Sequence, residues 1–394
     1  MEHDYDFDRL VERRGSNCAK WDSTAAEVLP MWVADMDFTA APCILDALRR
    51  RVEHGVFGYT HVPEAYYQAV VNWFDRRHGW CIDPASIIYT SGVVPAVSAI
   101  IKAMTQPGDG VIVQTPVYNC FFSSIRNNGC HVLSAPLVYS QEGYTIDFDA
   151  LENLASRPDA KVLLLCNPHN PAGRVWTRDE LQRVADICLR HNVFVISDEI
   201  HCELTYAGHD YTPYNTLGDV YARRSAVCVS PSKAFNIAGL QIANIVAVDS
   251  AVRAAIDRAI NINEVCDVNP FGVEALIAAY NRGSDWLDAL RSYLYGNYCL
   301  VRDFFAENLP DYPVTPLEGT YLVWIDCRAA GVCSDELAQR LIDSERLRLS
   351  PGTIYGEGGE CFLRLNIACP RSRVADALNR LRRFLGALPA SSPK

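Results

Sequence analysis

The sequence has few positive charges, and lysine in particular is rare. Its 394 residues include 36 lysines and arginines against 47 acidic residues, which gives a formal net charge of −11. Such a chain repels the phosphates of nucleic acids and anionic lipid surfaces, so neither is an expected partner. The five lysines are Lys20, Lys102, Lys161, Lys233 and Lys394. Any chemistry that needs a side-chain amine must use one of them.

Long apolar runs and paired cysteines are also missing. No run approaches the ~18 apolar residues of a membrane-spanning helix, and the acidic residues 1–6 do not resemble a secretory signal. The 15 cysteines are odd in number and scattered, without a CxxC pair. We therefore expect a soluble, cytoplasmic protein with reduced thiols, no metal site and no membrane contact.

Short apolar runs rich in β-branched residues alternate with helical patterns through about the first 280 residues. Continuous apolar strands with helical crossovers are typical of a mostly parallel α/β sheet that is buried on both faces. For example, the strand pattern at residues 161–166 precedes an amphipathic helix pattern at 177–191, which begins with a capping box of Thr177 and Glu180. The later residues predict a separate, smaller α+β domain, and the length suits two domains.

Polar residues follow the predicted strands at the points where these strands end. They are Ser91-Gly92, residues 167–170, Asp198 and residues 230–233. In open α/β sheets the carboxyl ends of the strands form the ligand-binding edge. The sequence therefore predicts that these distant segments meet in one site.

Lys233 is the lysine best placed for chemistry. It lies in Ser230-Pro231-Ser232-Lys233, directly after a predicted buried strand. Burial lowers the pKa of an amine, and the neutral amine is the form that reacts with a carbonyl to give a Schiff base. Taken alone, the segment also fits a solvated lysine in a surface loop.

Three blocks in this order resemble the fold-type I enzymes that use pyridoxal 5′-phosphate (PLP). They are residues 167–173 (Asn-Pro-His-Asn-Pro-Ala-Gly), Asp198, and Ser-Pro-Ser-Lys at residues 230–233. The resemblance extends from about Trp21 to Arg373. It implies an aspartate aminotransferase-like α/β fold with a mostly parallel seven-stranded sheet between helices. It also implies an N-terminal segment (1–45) packing with the small domain, a large PLP-binding domain (46–282) and a small C-terminal α+β domain (283–394).

The resemblance assigns PLP to Lys233 as a Schiff base. Asp198 would stabilise the protonated pyridine nitrogen that makes PLP an effective electron sink. Asn170 would donate to the phenolate oxygen, and Tyr118 would stack on the ring. His201 stands where many aminotransferases have a tyrosine, so it is a cofactor contact without a firm role.

The same resemblance places the PLP phosphate at the start of a helix. The main-chain N–H groups of Val93 and Val94 would bind it there, because such groups lack partners within the helix. Ser230 and Ser232 would add hydroxyl groups. Tyr59 would reach the phosphate from a neighbouring subunit, which implies a homodimer.

One departure from the family concerns the phosphate. Many aminotransferases have an arginine eight residues after the lysine, whereas this chain has Gln241. The phosphate charge must therefore be balanced differently, which favours a reaction other than ordinary amino transfer.

Arg364 is the candidate for substrate binding. It lies within an apolar strand pattern, Phe-Leu-Arg-Leu-Asn, and a buried arginine needs an anionic partner. The resemblance assigns the α-carboxylate of an amino-acid substrate, held bidentately, with Ala34 and Asn170 as further substrate contacts. A structural salt bridge is the alternative.

Four motifs are similar to the cystathionine β-lyase (C–S lyase) branch of the class I/II aminotransferase family. They lie at residues 31–38, 57–60, 231–240 and 364–370. This similarity implies α,β-elimination from L-cystathionine or a related cysteine S-conjugate, giving pyruvate, ammonia and a thiol such as homocysteine.

In the implied reaction, Lys233, Tyr118 and Asp198 are the catalytic residues, and Lys233 removes the Cα proton. An aminotransferase shares the early steps, and no local feature of the sequence separates the two. A non-catalytic PLP-binding regulator is a second alternative. The intact set of Lys233, Asp198, Asn170 and Arg364 argues against a regulator, because a binding scaffold need not retain the lysine.

Overall fold

The computed structural model describes residues 5–262 and 268–388. The strands are β1 (Leu29–Pro30), β2 (Ile87–Thr90), β3 (Gly110–Val113), β4 (His131–Ser134), β5 (Val138–Ser140), β6 (Gly143–Thr145), β7 (Ala160–Cys166), β8 (Phe194–Asp198), β9 (Ser225–Val229), β10 (Ala243–Val246), β11 (Leu322–Asp326), β12 (Leu347–Arg348), β13 (Ser350–Pro351) and β14 (Phe362–Asn366). The helices are α1 (Pro42–His54), α2 (Glu64–His78), α3 (Val93–Met104), α4 (Cys120–Asn127), α5 (Phe148–Ala155), α6 (Arg178–Arg190), α7 (Asp219–Ala222), α8 (Ser250–Asn261), α9 (Pro270–Arg282), α10 (Ser284–Asn308), α11 (Ser334–Glu345) and α12 (Arg371–Gly386).

Seven strands form the central sheet, in the order β2-β10-β9-β8-β7-β3-β4. Strand β10 is antiparallel to both of its neighbours, and the other pairs are parallel. Strands β3, β8, β9 and β10 are buried along their whole length, as expected for apolar strands with cover on both faces. The predicted mostly parallel, seven-stranded α/β sheet is confirmed.

Helix α3 begins directly after the first strand of this sheet. Its first residue is Val93, and it packs against β8, β9 and β10. Helix α6 has the predicted capping box between Thr177 and Glu180. The capping box was predictable because capping depends on residues that are close in sequence.

The C-terminal region contains a second sheet, in the order β11-β14-β13. Helix α11 packs against this sheet, and α12 packs against α10 and α11. Strand β1 near the N-terminus pairs in parallel with β12, so that Leu29 lies opposite Leu347. The division of the chain at residues 45 and 282 stays a prediction.

The apolar character of the helices and the state of the cysteines can also be read from the structure. Among the described residues, no helix combines the length and the apolar character that a bilayer crossing requires. The cysteines in the described part of the chain are free thiols, and most of them are buried.

Candidate active site

A cavity of about 200 Å³ opens at the carboxyl ends of the parallel strands. It brings together nine of the predicted site residues from six separate parts of the sequence. Its lining consists of Ala34, Gly92, Val93, Val94, Pro95, Tyr118, Cys166, Asn170, Asp198, Ile200, His201, Ser232, Lys233 and Ala238. The predicted gathering of polar groups at this edge is what the structure shows.

Lys233 lies in the loop that follows β9. Its Nζ donates a hydrogen bond to the main-chain oxygen of Ala34 at 2.6 Å. Burial lowers the pKa of the Lys233 amine to about 8, and the nearby charge of Arg364 adds to this effect. The amine can therefore lose its proton near neutral pH, as a nucleophile or a general base requires.

Asp198 ends strand β8 and is 4% exposed. One of its oxygens accepts a hydrogen bond from the main-chain N–H of Ile200 at 3.1 Å. Within the described residues it forms no salt bridge, and burial raises its pKa to about 7. A carboxylate buried in this way needs a cation, and the protonated ring nitrogen of PLP is a suitable one.

The start of α3 forms another wall of the cavity. Val93 and Val94 are its first two residues, and the first N–H groups of a helix have no acceptor within it. Ser232 also lines the cavity, whereas Ser230 lies behind it, with its Oγ 2.9 Å from that of Ser232 and 2.5 Å from the oxygen of Ile242. These donors suit a phosphate group, and a direct contact from Ser230 stays a prediction.

Arg364 lies in β14 and is 5% exposed. Its guanidinium donates to Asn170 Oδ1 at 3.0 Å and to the oxygen of Trp32 at 2.8 Å, and it lies over the ring of Tyr355. In the described part of the chain it has no carboxylate partner, and its Nε makes no hydrogen bond. The structural salt bridge is thus not found there, and the buried charge suits an anionic ligand.

Tyr118 and His201 are uncharged groups on the cavity wall. Burial raises the pKa of Tyr118, so its phenol keeps its proton. Burial and the charges of Lys233 and Arg364 hold the pKa of His201 well below its usual value. The Nδ1 of His201 has no hydrogen-bond partner among the described residues, so a neutral imidazole faces the site.

Tyr59 lies apart from this cavity. It is 99% exposed on its own chain. Its predicted contact with the phosphate would have to be made by another subunit and stays a prediction.

Sequence reasoning did not identify Tyr321 as part of this region. Its hydroxyl donates to the main-chain oxygen of Ala34 at 3.0 Å, the same atom that Lys233 contacts. Tyr321 and Ala34 are 287 residues apart in sequence, so no local pattern indicates the contact.

Comparison with known proteins identifies the family. The model of the family "Aminotransferase class I and II" matches residues 27–381. This chain belongs to the class I and II aminotransferase family. The resemblance inferred from the sequence blocks around Asn170, Asp198 and Lys233 is thereby confirmed.

Individual relatives of the family match along nearly the whole chain. The chain is 42% identical to cystathionine beta-lyase PatB of Bacillus subtilis (strain 168), over 96% of this chain and 99% of that protein. It superposes on cystalysin from Treponema denticola, whose structure contains PLP, with a TM-score of 0.95, 36% identity and coverage of 98% and 100%. For the PLP-bound C-S lyase from Staphylococcus hominis, the TM-score is 0.91, with 30% identity and coverage of 97% and 99%. These similarities confirm the expected fold and the placement within the C–S lyase branch.

Proposed function

We propose that this protein is a PLP-dependent C–S β-lyase. Its substrates would be L-cystathionine or related cysteine S-conjugates, and its products pyruvate, ammonia and a thiol. The observation that best supports this is an amine with a lowered pKa, Lys233, in a cavity whose wall residue Asn170 accepts a hydrogen bond from the guanidinium of Arg364. Among the described residues that guanidinium has no carboxylate partner. The names of the relatives support the choice of elimination over amino transfer.

The residues of the site fit PLP. When bound, PLP supplies an aldehyde that can react with an amine and a ring that withdraws electrons from the adjacent carbon. Lys233 would hold it covalently, and Asp198 would bind its ring nitrogen. The remaining contacts would come from Asn170, Tyr118, Val93, Val94, Ser230, Ser232, His201 and, from a partner subunit, Tyr59.

Each charged residue then has a defined task in the reaction. Arg364 would bind the α-carboxylate of the substrate and orient its Cα–H bond toward Lys233. The neutral Lys233 amine would take up the Cα proton, and Asp198 would stabilise the positive charge of the protonated ring nitrogen. Tyr118 would form the aromatic wall that keeps these groups in line and excludes water.

The test is to incubate the PLP-loaded protein with L-cystathionine in the absence of a 2-oxo acid. We expect sustained release of pyruvate and free thiol in equal amounts, and none from a Lys233→Ala variant prepared in parallel. Amino transfer that starts only after a 2-oxo acid is added would instead identify an aminotransferase. No reaction under either condition would favour the non-catalytic regulator.

A homodimer with Tyr59 acting across the interface is a further part of the proposal. It is supported by the full exposure of Tyr59 next to other exposed apolar side chains, Val56 and Phe57. Co-expression of Lys233→Ala and Tyr59→Ala chains should restore activity in mixed dimers, because one of their two sites has both native residues. With random pairing this is roughly a quarter of all sites. Failure of the mixture to exceed either variant alone would contradict a shared site. The cytoplasmic location also stays a prediction.

A further inference from the structure

The main-chain oxygen of Ala34 accepts two hydrogen bonds from different parts of the structure. One comes from Lys233 Nζ at 2.6 Å and the other from the Tyr321 hydroxyl at 3.0 Å. A carbonyl oxygen has two lone pairs, so both donors can be satisfied together. Lys233 lies between β9 and β10 of the central sheet, whereas Tyr321 directly precedes β11 of the second sheet.

Tyr321 is fixed in a way that suits a permanent donor. Its side chain is fully buried, and its ring lies edge-on to that of His201, with the centroids 6.0 Å apart. Burial raises the pKa of Tyr321, so its phenol stays protonated and continues to donate. The hydroxyl can donate one hydrogen bond, and the Ala34 oxygen accepts it.

The residues on either side of Ala34 are also held from both parts of the structure. The Nδ2 of Asn366, in β14, donates to the oxygens of Val33 and Asp35. The Oδ1 of Asn236 accepts a hydrogen bond from the N–H of Met36 at 3.0 Å. These bonds fix the neighbouring peptides, and the Tyr321 hydroxyl is the described donor, besides Lys233 itself, to the Ala34 oxygen.

We propose that Tyr321 is a positioning residue. Its hydroxyl fixes the Ala34 carbonyl, and this carbonyl in turn holds the Lys233 amine in place for proton transfer. The inference rests on the proposed function, in which Lys233 is the general base. When the Cα–H bond breaks, its electron pair stays with the carbon, and the nitrogen lone pair of Lys233 forms the new N–H bond. The resulting ammonium lies near the positive charge of Arg364, so it needs an acceptor at a fixed place.

Loss of the Tyr321 hydroxyl should therefore slow proton transfer without weakening substrate binding. One neutral hydrogen bond that is lost in the transition state corresponds to about a tenfold fall in rate. We expect the change in kcat and not in KM, since Tyr321 does not contact the carboxylate-binding Arg364 through any described hydrogen bond.

The experiment follows the exchange of the Cα proton of L-alanine in D2O by NMR, using the PLP-loaded full-length protein. L-Alanine has no leaving group at Cβ, so the exchange reports the action of the base apart from C–S cleavage. The Tyr321→Phe variant should exchange about tenfold more slowly at saturation, with an unchanged half-saturating concentration. The matched control is Tyr66→Phe, which removes an equally buried phenol that donates to Asn244 Oδ1 at 2.7 Å and does not line the cavity.

A second readout does not depend on catalysis. In crystals of the cofactor-free Tyr321→Phe protein, the Lys233 amine should occupy more than one position. A single position at the wild-type distance from Ala34 would overturn the inference, as would equal exchange rates in the wild type and Tyr321→Phe, or equal losses in both phenylalanine variants. Absence of exchange by the wild type would contradict the proposed function as well, so the two failures are distinguishable.

Discussion

Lys20 and Lys233 both contact the segment of residues 34–37, but they have different partners. Lys20 is 1% exposed, and its Nζ lies 3.2 Å from Asp37 Oδ1 and 3.6 Å from Asp35 Oδ1. Lys233 donates instead to the neutral carbonyl of Ala34, and in the described part of the chain it forms no salt bridge. The charge of Lys20 is therefore balanced within the protein, whereas the amine of Lys233 has no such counter-charge in direct contact.

The arginines show the same contrast. Arg13 and Arg373 contact Asp37 at 2.7 Å and 3.0 Å, so the charges around this aspartate are satisfied within the protein. Arg364 has only an amide oxygen and a main-chain oxygen as described acceptors. Burial of a charged group therefore does not identify a functional site by itself, and the missing counter-charge is the informative feature.

The largest expected effect comes from removing the unpaired lysine. Lys233→Ala should lower the rate of pyruvate release from L-cystathionine by at least about a thousandfold, because it removes both the covalent anchor and the base. The control is Lys161→Ala, at an exposed lysine, which should leave the rate unchanged. A Lys233→Ala enzyme that releases pyruvate at a rate within tenfold of the wild type would show that Lys233 is not the reactive lysine.

The next effect concerns the unpaired arginine. Arg364→Lys should lower kcat/KM by about a hundredfold, because a lysine cannot bind the carboxylate bidentately and the site loses a fixed pair of donors. PLP content, measured by absorbance, should stay the same. An unchanged kcat/KM would show that the substrate carboxylate binds elsewhere. Arg328→Lys, which alters a mostly exposed guanidinium, serves as the matched control.

The paired lysine should affect stability rather than chemistry. Lys20→Met should lower the free energy of unfolding by about 2 kcal/mol, less than for an isolated buried pair because Asp37 keeps two arginines. Denaturant unfolding measures this, with the exposed Lys102→Met as a control expected to change it by about 0.5 kcal/mol or less. If Lys20→Met abolished activity at full PLP loading while stability was retained, the assignment of Lys20 to structure would be wrong.

The pH dependence of PLP capture gives the smallest but most specific effect. The pKa of Lys233 is lowered from its usual 10.5 to about 8, so the reactive neutral amine increases with pH and predominates above about 8. The rate of PLP capture by the cofactor-free protein should rise about tenfold per pH unit below pH 8 and level off above it. A tenfold rise per unit that continues to pH 10 would mean that the amine is not shifted.

Local patterns were sufficient to predict much of the fold. Apolar runs predicted buried strands such as the one at residues 161–166, which is β7, because strands covered on both faces must be apolar along their length. The partly exposed edge strand β4 has no such run and was not predicted.

The chemistry of the site was predictable where residues follow strand ends, as Asp198 and Lys233 do. The partners of these residues were not predictable, because they depend on contacts between distant parts of the chain. The Tyr321–Ala34 bond and the ion pairs of Lys20 with Asp35 and Asp37 have no signature in the local sequence. Strand-end positions and the family resemblance together indicate the candidate reactive groups, whereas only the structure shows which charges lack a partner.

Borohydride reduction of the PLP-loaded protein, followed by peptide mass mapping, tests the central claim most directly. The reduction fixes the bond between PLP and whichever amine holds it. We predict one PLP per chain, on the peptide that contains Lys233, and none on peptides with Lys20, Lys102 or Lys161. Stoichiometric PLP on any of those three lysines, with Lys233 unmodified, would contradict the account.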